Sequence, residues 1–68
     1  MIMKIKLINK KDVKEIEIDE NTAVEDLLKS EGIAVETVVV RINGDTVTED
    51  EIISDGDEVE VIKVIYGG

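Results

Sequence analysis

Hydrophobic positions in this chain recur with two periods, and the change from one to the other marks the elements. In residues 1–8, MIMKIKLI, Met3, Ile5 and Leu7 alternate with Lys4 and Lys6, the period of two that places apolar side chains on one face of a half-buried strand. NKKD at 9–12 reads as a turn, and VKEIEI at 13–18 resumes the alternation with Ile16 and Ile18 on one face and Glu15 and Glu17 on the other. Together the two runs predict an antiparallel hairpin. The period then lengthens. Val24, Leu27 and Leu28 fall at i, i+3 and i+4, the apolar stripe of a short helix. Thr22 with Glu25 three residues later has the form of a capping box and predicts the helix start. Glu25 and Asp26 suit the positive end of the helix dipole, and Lys29 lies four residues after Glu25, a stabilising spacing. Gly32 is placed to end the helix in a left-handed conformation.

The second half returns to period two. TVVVRIN at 37–43 predicts a strand with Val38, Val40 and Ile42 inward and Val39 and Arg41 outward. NGD at 43–45 is a strong hairpin-turn signal leading into a short strand around Thr46 and Val47. TEDE at 48–51 repeats the capping-box pattern and predicts one helical or 3₁₀ turn. SDGD at 54–57 reads as a tight turn, and EVEVIKVIY at 58–66 as the last strand, with Val59 and Val61 inward. The order is strand, strand, helix, strand, short strand, strand. A single helix between an N-terminal hairpin and later strands packs on one sheet face, which is the α+β class. Right-handed crossover places the first and last strands side by side and parallel. That arrangement is a β-grasp: a mixed sheet of four to five strands with one main helix on one face.

Composition narrows the options. The 68 residues make one domain, 1–68, without linkers, repeats or low-complexity stretches. There are no cysteines and no histidines, which excludes disulfides and the usual zinc sites. The core must be aliphatic, from eleven Ile, ten Val and three Leu, with Tyr66 the one aromatic. No segment approaches the ~20 apolar residues of a membrane span, and no charged-then-apolar leader opens the chain; a soluble, cytoplasmic protein without membrane contact is expected. The net charge is -9, from 17 acidic and 8 basic residues, and phosphate backbones repel such a surface, so nucleic acid is not an expected partner. The acidity serves solubility and would also steer the chain towards a basic partner site.

Candidate chemistry is sparse. The acidic stretch EDEIISDGDE at 49–58 lacks the ligand spacing of a calcium loop, because two isoleucines interrupt it; a tight turn is the better reading, and no metal site is expected. Ser30 and Ser54 have no histidine to activate them, and Gly32, Gly44 and Gly56 are isolated rather than grouped into a phosphate-cradling loop. The chain is not expected to be an enzyme. The ending VIKVIYGG, 61–68, stands out. At about 7% glycine, two closing glycines arise by chance in roughly 0.5% of chains. Glycine lacks Cβ, so Gly67 and Gly68 can pass through a narrow channel, and a terminal carboxylate with a pKa of about 3.3–3.7 is ionised at neutral pH. The pair is expected to be a flexible reactive tail whose carboxylate can attack the α-phosphorus of ATP held by another protein.

With these features the sequence resembles the ubiquitin-like sulfur carriers of the ThiS/MoaD family and their archaeal small-modifier relatives. The resemblance rests on the element order, the compact length and the ending DGDEVEVIKVIYGG at 55–68. It implies that a ubiquitin-activating-type enzyme adenylates Gly68 with ATP and magnesium, none of it bound by the carrier itself. A sulfur donor of the desulfurase or rhodanese type then replaces AMP, leaving a thiocarboxylate, with Gly67 as spacer. An accepting synthase would take the sulfur into thiamine, molybdopterin or a tRNA base; alternatively, the activated Gly68 joins lysines of target proteins. A plain binding domain with incidental glycines is the third reading. The sheet face away from the helix, with Lys4, Lys6, Val39, Arg41, Glu60, Ile62 and Val64, is either a partner interface or a solvated sheet surface. Val39, Arg41, Ile62, Val64 and Tyr66 are the candidate partner contacts. Tyr66 stands where ubiquitin carries a basic residue, so ubiquitin's own enzymes need not recognise this chain.

Overall fold

The computed structural model describes residues 1–64. In chain order it contains β1 (Ile2–Asn9), β2 (Asp12–Asp19), α1 (Val24–Ser30), a 3₁₀ turn (Val35–Thr37), β3 (Val38–Ile42), β4 (Asp45–Val47) and β5 (Glu58–Lys63). The strands form one five-stranded sheet in the order β2-β1-β5-β3-β4. β1 and β5 are parallel; the β1–β2, β3–β5 and β3–β4 pairs are antiparallel. The first and last strands are therefore neighbours in a mixed sheet, and the chain has the β-grasp architecture expected from its element order.

Both short hairpin loops sit where the sequence places them, by different means. Asn43 and Gly44, at φ 53° and 89°, close β3 onto β4, with Ile42 opposite Asp45. Two positive φ values are what a type I′ turn needs, and Asn-Gly meets that need at little cost. The β1–β2 hairpin closes on Lys10 and Lys11, with Asn9 opposite Asp12, and Lys10 takes φ 58°, a conformation that side chains with a Cβ enter less readily.

The start of α1 departs from the expected capping box. The N-cap is Ala23, without a side-chain cap, and the Thr22 hydroxyl donates to the Asp19 carbonyl. The leading N–H groups are met by main chain from a distant segment: Val24 N–H donates to the Glu51 carbonyl and Glu25 N–H to the Glu49 carbonyl, each at 2.9 Å. Helix ends need acceptors, whatever their source. The same contacts explain why TEDE at 48–51 starts no helix: it forms a turn closed by Glu51 N–H on the Thr48 carbonyl, with the Thr48 hydroxyl on the Asp50 carboxylate. Ile52 then bridges antiparallel to Ala23, and Ile53 N–H donates to the Thr22 carbonyl at 2.9 Å. The far end of α1 follows expectation. Gly32, at φ 72°, donates its N–H to the Lys29 carbonyl (3.1 Å), and Ile33 N–H donates to the Leu28 carbonyl (2.8 Å), the paired bonds of a Schellman motif.

The core joins the inner face of the sheet to α1. Ile5 and Leu7 of β1, Val59 and Val61 of β5, and Val40 and Ile42 of β3 are buried with Val24, Leu27 and Leu28 of the helix. Met3 is also buried, and Ile16 and Ile18 pack on the cluster half-buried. Ile53, which no periodic pattern marks, is 1% exposed, whereas its neighbour Ile52 is 49% exposed. No alternation surrounds this pair, so the choice between them is made by the bridge to Ala23. Truncating Ile53 to Ala should cost about 2–5 kcal/mol, and Ile52→Ala less than about 0.5 kcal/mol, in urea unfolding of the two variants. Equal costs would contradict this placement.

Candidate functional site

β5 lies between β1 and β3, so the last described strand is an interior strand rather than an edge. Its pairing runs on past the strand: Val38 is opposite Lys63, and Val64 N–H donates to the Thr37 carbonyl at 2.9 Å. Val64 is half-buried. Tyr66, Gly67 and Gly68 lie outside the described residues.

The sheet face opposite α1 carries the candidate contacts. Alternation in β3 and β5 buries Val40, Ile42, Val59 and Val61 and turns Val39, Arg41, Glu60 and Ile62 to the other side. Val39 pairs with Ile62, and Arg41 with Glu60, so the register brings these residues together. Val39 and Ile62 are 37% and 36% exposed. Two residues not singled out in the sequence extend the same surface. Ile8 lies opposite Val13 in β2 and opposite Glu60 in β5; Val13 is 60% exposed. Continuing the alternation of β1 and β2 to their ends would have placed both on this face.

This face is graded along the strands. Towards the N-terminal end of β1, Lys4 is opposite Glu17 and Lys6 opposite Glu15, cross-strand pairs of opposite charge that suit a solvated sheet. Towards the end where β5 finishes, Ile8, Val13, Val39 and Ile62 take over. A shallow cleft of about 360 Å³ there is lined by Lys10, Glu60, Val61, Ile62 and Lys63. The result is an apolar surface with a charged rim, beside the end of β5.

Asn43, Asp55 and Asp57 are occupied structurally. Asp57 accepts from Ser54 N–H (2.9 Å) and from the Asn43 side-chain amide (3.0 Å), and Asn43 in turn accepts from Glu58 N–H (3.0 Å). Asp55 accepts from Lys4 N–H at 2.9 Å. The SDGD stretch is thus the tight turn expected, stitched to β1 and to the β3–β4 loop. Among the described residues, no group of three or more His, Cys, Asp or Glu is placed to hold a metal ion. The Ser30 hydroxyl donates to the Leu27 carbonyl at 2.9 Å, as a helical serine does. No helix among the described residues is long and apolar enough to cross a membrane.

Comparison with known proteins agrees with this geometry. The model of the ThiS family matches residues 5–68. Among solved structures, the chain resembles a Pyrococcus furiosus protein provisionally described as molybdopterin converting factor subunit 1, at 26% identity and TM-score 0.75 over 93% of this chain and 99% of that one. It resembles SAMP1 from Haloferax volcanii at 17% identity and TM-score 0.71, over 96% and 99%. The ubiquitin of Caldiarchaeum subterraneum gives 21% identity and TM-score 0.72, with both chains covered in full.

The Arg41–Glu60 register makes one energetic prediction. Arg41→Glu sets like charges opposite each other and should destabilise the fold by about 0.5–1 kcal/mol, and adding Glu60→Arg should recover most of that loss. A thermal-unfolding double-mutant cycle measures the coupling; strictly additive changes would show that the two side chains do not meet.

Proposed function

Because this chain belongs to the ThiS family, we propose that it is a sulfur carrier that acts in the cytoplasm and is itself no catalyst. The family match, which extends to Gly68, carries this reading. Two features of the described structure support it. The strand leading to the tail is an interior strand held on both sides, a firm base for a reactive arm. An apolar, charge-rimmed surface lies beside that base, where an enzyme gripping the body would find the tail within reach.

In the proposed mechanism a ubiquitin-activating-type enzyme supplies ATP and magnesium. An oxygen of the Gly68 carboxylate attacks the α-phosphorus, pyrophosphate leaves, and the glycyl carbon becomes an acyl-adenylate. A persulfide sulfur from a desulfurase- or rhodanese-type donor attacks that carbon and expels AMP. A thiol then cleaves the acyl disulfide and leaves a thiocarboxylate on Gly68. Gly67, without a side chain, is the spacer that lets Gly68 enter the activating site. A synthase of thiamine, molybdopterin or tRNA thiolation accepts the sulfur. A lysine amine attacking the same adenylate would yield an isopeptide instead, and product mass separates the two outcomes. Val39, Arg41, Ile62, Val64 and Tyr66 are the proposed contacts to the activating enzyme, joined by Ile8 and Val13.

Two measurements test this. Intact-mass analysis of the chain incubated with its adenylating enzyme, ATP and a persulfide donor should show one oxygen exchanged for sulfur, and deleting Gly67 and Gly68 should abolish the species while leaving the unfolding transition in place. An adenylated chain that never gains sulfur would remove the carrier reading. Ile62→Asp should raise KM for adenylation about tenfold with kcat little changed, because it removes binding to the body and not chemistry at the tail. A variant that adenylates with unaltered KM would take Ile62 out of the interface.

A further inference from the structure

We infer that the free edge of β2, with the groove between β2 and α1, is a docking site for an extended partner segment in which basic and apolar residues alternate. This surface is separate from the tail and does not depend on the chemistry of Gly68. β2 is eight residues long and ends the sheet on one side, whereas the opposite edge, β4, has only three residues. A long free edge presents unpaired main-chain donors and acceptors to any strand that matches it.

The neighbouring strand shows which groups are free. In β1, Lys4 N–H is held by Asp55, the Lys4 carbonyl accepts from Gly56 N–H (2.8 Å), and Lys6 N–H donates to the Asp57 carbonyl (3.0 Å). These main-chain groups point away from β2. Lys4 and Lys6 are opposite Glu17 and Glu15, so both are non-hydrogen-bonded pairs of the antiparallel ladder. The N–H and C=O of Glu15 and Glu17 therefore face the open edge, and the alternation adds those of Val13. On the helix side, Ile16 and Ile18 are half-buried. A groove of about 300 Å³ there has Ile18 and Leu27 in its lining and Glu17, Asp19 and Asp26 at its polar positions.

Charge selects the occupant. A second copy pairing antiparallel over five or more residues of β2, with both helices on the same side of a continuous sheet, must be centred on residue 14, 15, 16 or 17. Those registers set Lys14 against Lys14, Glu15 against Glu15, Glu15 against Glu17, and Glu17 against Glu17. Like charges directly opposite are destabilising, so the strand resists pairing with itself. The one basic residue within β2, Lys14, is engaged by Glu31 at 2.9 Å. Lys4 and Lys6 lie one strand further in, opposite Glu17 and Glu15, so the charged side chains on the edge strand nearest an incoming segment are Asp12, Glu15, Glu17 and Asp19. A strand with Lys or Arg opposite Glu15 and Glu17, and aliphatic residues over Ile16 and Ile18, satisfies the free main chain and both faces together. Main-chain bonds would supply affinity, and the alternating faces specificity.

Isotope-labelled full-length protein titrated with an end-blocked Lys-Val-Lys-Val-Lys peptide, and with its block isomer Lys-Lys-Lys-Val-Val, tests this by NMR. The alternating peptide should give saturable shifts and about tenfold slower amide exchange at Val13, Glu15 and Glu17, with the isomer binding more weakly. Glu15→Lys with Glu17→Lys should weaken the alternating peptide about tenfold, and Glu15→Gln with Glu17→Gln by a smaller factor, both keeping a folded spectrum. Equal binding of the two peptides, shifts centred on residues 49–58, or no saturable change in β2 would overturn the proposal. So would β2 shifts that grow with protein concentration without peptide, which would make a second copy the occupant.

Discussion

The parallel pairing of β1 with β5 is the constraint on which the rest of the structure depends. Leu7 opposite Val59 and Asn9 opposite Val61 bring the first and last strands into one ladder, and parallel strands cannot be joined by a tight turn. Everything between them must make the crossover. α1 lies within that path and covers the face where Ile5, Leu7, Val59 and Val61 converge. The same pairing leaves β2 and β4 as the edges and makes β5 an interior strand. The site at the end of β5 and the free edge at β2 are thus two consequences of one topology.

Within that frame, the acidic residues do more than colour the surface. At the turn before β5, Asp57 holds the Ser54 N–H and Asp55 holds the Lys4 N–H of β1, and Asn43 locks that turn to the β3–β4 loop. A carboxylate accepting backbone N–H bonds is a stronger acceptor than a neutral one, which helps a loop rich in glycine and aspartate hold one conformation. The acids on the open face are distributed differently. Glu15 and Glu17 are set against lysines across β1, and apolar residues replace the charges only towards the end of β5. The net charge of -9 therefore describes the chain as a whole and neither of its surfaces in particular.

A sulfur carrier needs a body that can be recognised and an end that can be reached. The proposed division of labour follows: the sheet supplies rigidity and a docking face, while Gly67 and Gly68 supply reach and a carboxylate. In the described body the core is aliphatic, and the hydroxyls of Thr22, Ser30 and Thr37 are spent on main-chain carbonyls. The edge of β2 stands outside this division and gives the same body a second way to engage a partner.

Alternation alone sorted Met3, Ile5, Leu7, Val40, Ile42, Val59 and Val61 into the core and Val39, Arg41 and Ile62 onto the open face, because strand geometry enforces a period of two whatever surrounds it. Turn chemistry was equally local: Asn43-Gly44 and Gly32 sit where positive φ is needed, and that need can be read from neighbouring residues. The Gly67-Gly68 ending, too, is a feature of the sequence itself. What only the tertiary structure decided are the choices that depend on a distant partner. Thr22 and Thr48 carry the same capping signature, yet neither caps a helix, since the carbonyls of Glu49 and Glu51 already satisfy α1. Ile53 rather than Ile52 fills the core because Ile52 bridges to Ala23 and Ile53 N–H donates to the Thr22 carbonyl, partners far back in the chain. The gathering of Ile8, Val13, Val39 and Ile62 on one surface needed the strand order and register, which no local pattern encodes, because pairing between strands is set by the burial of the whole sheet and not by any one segment.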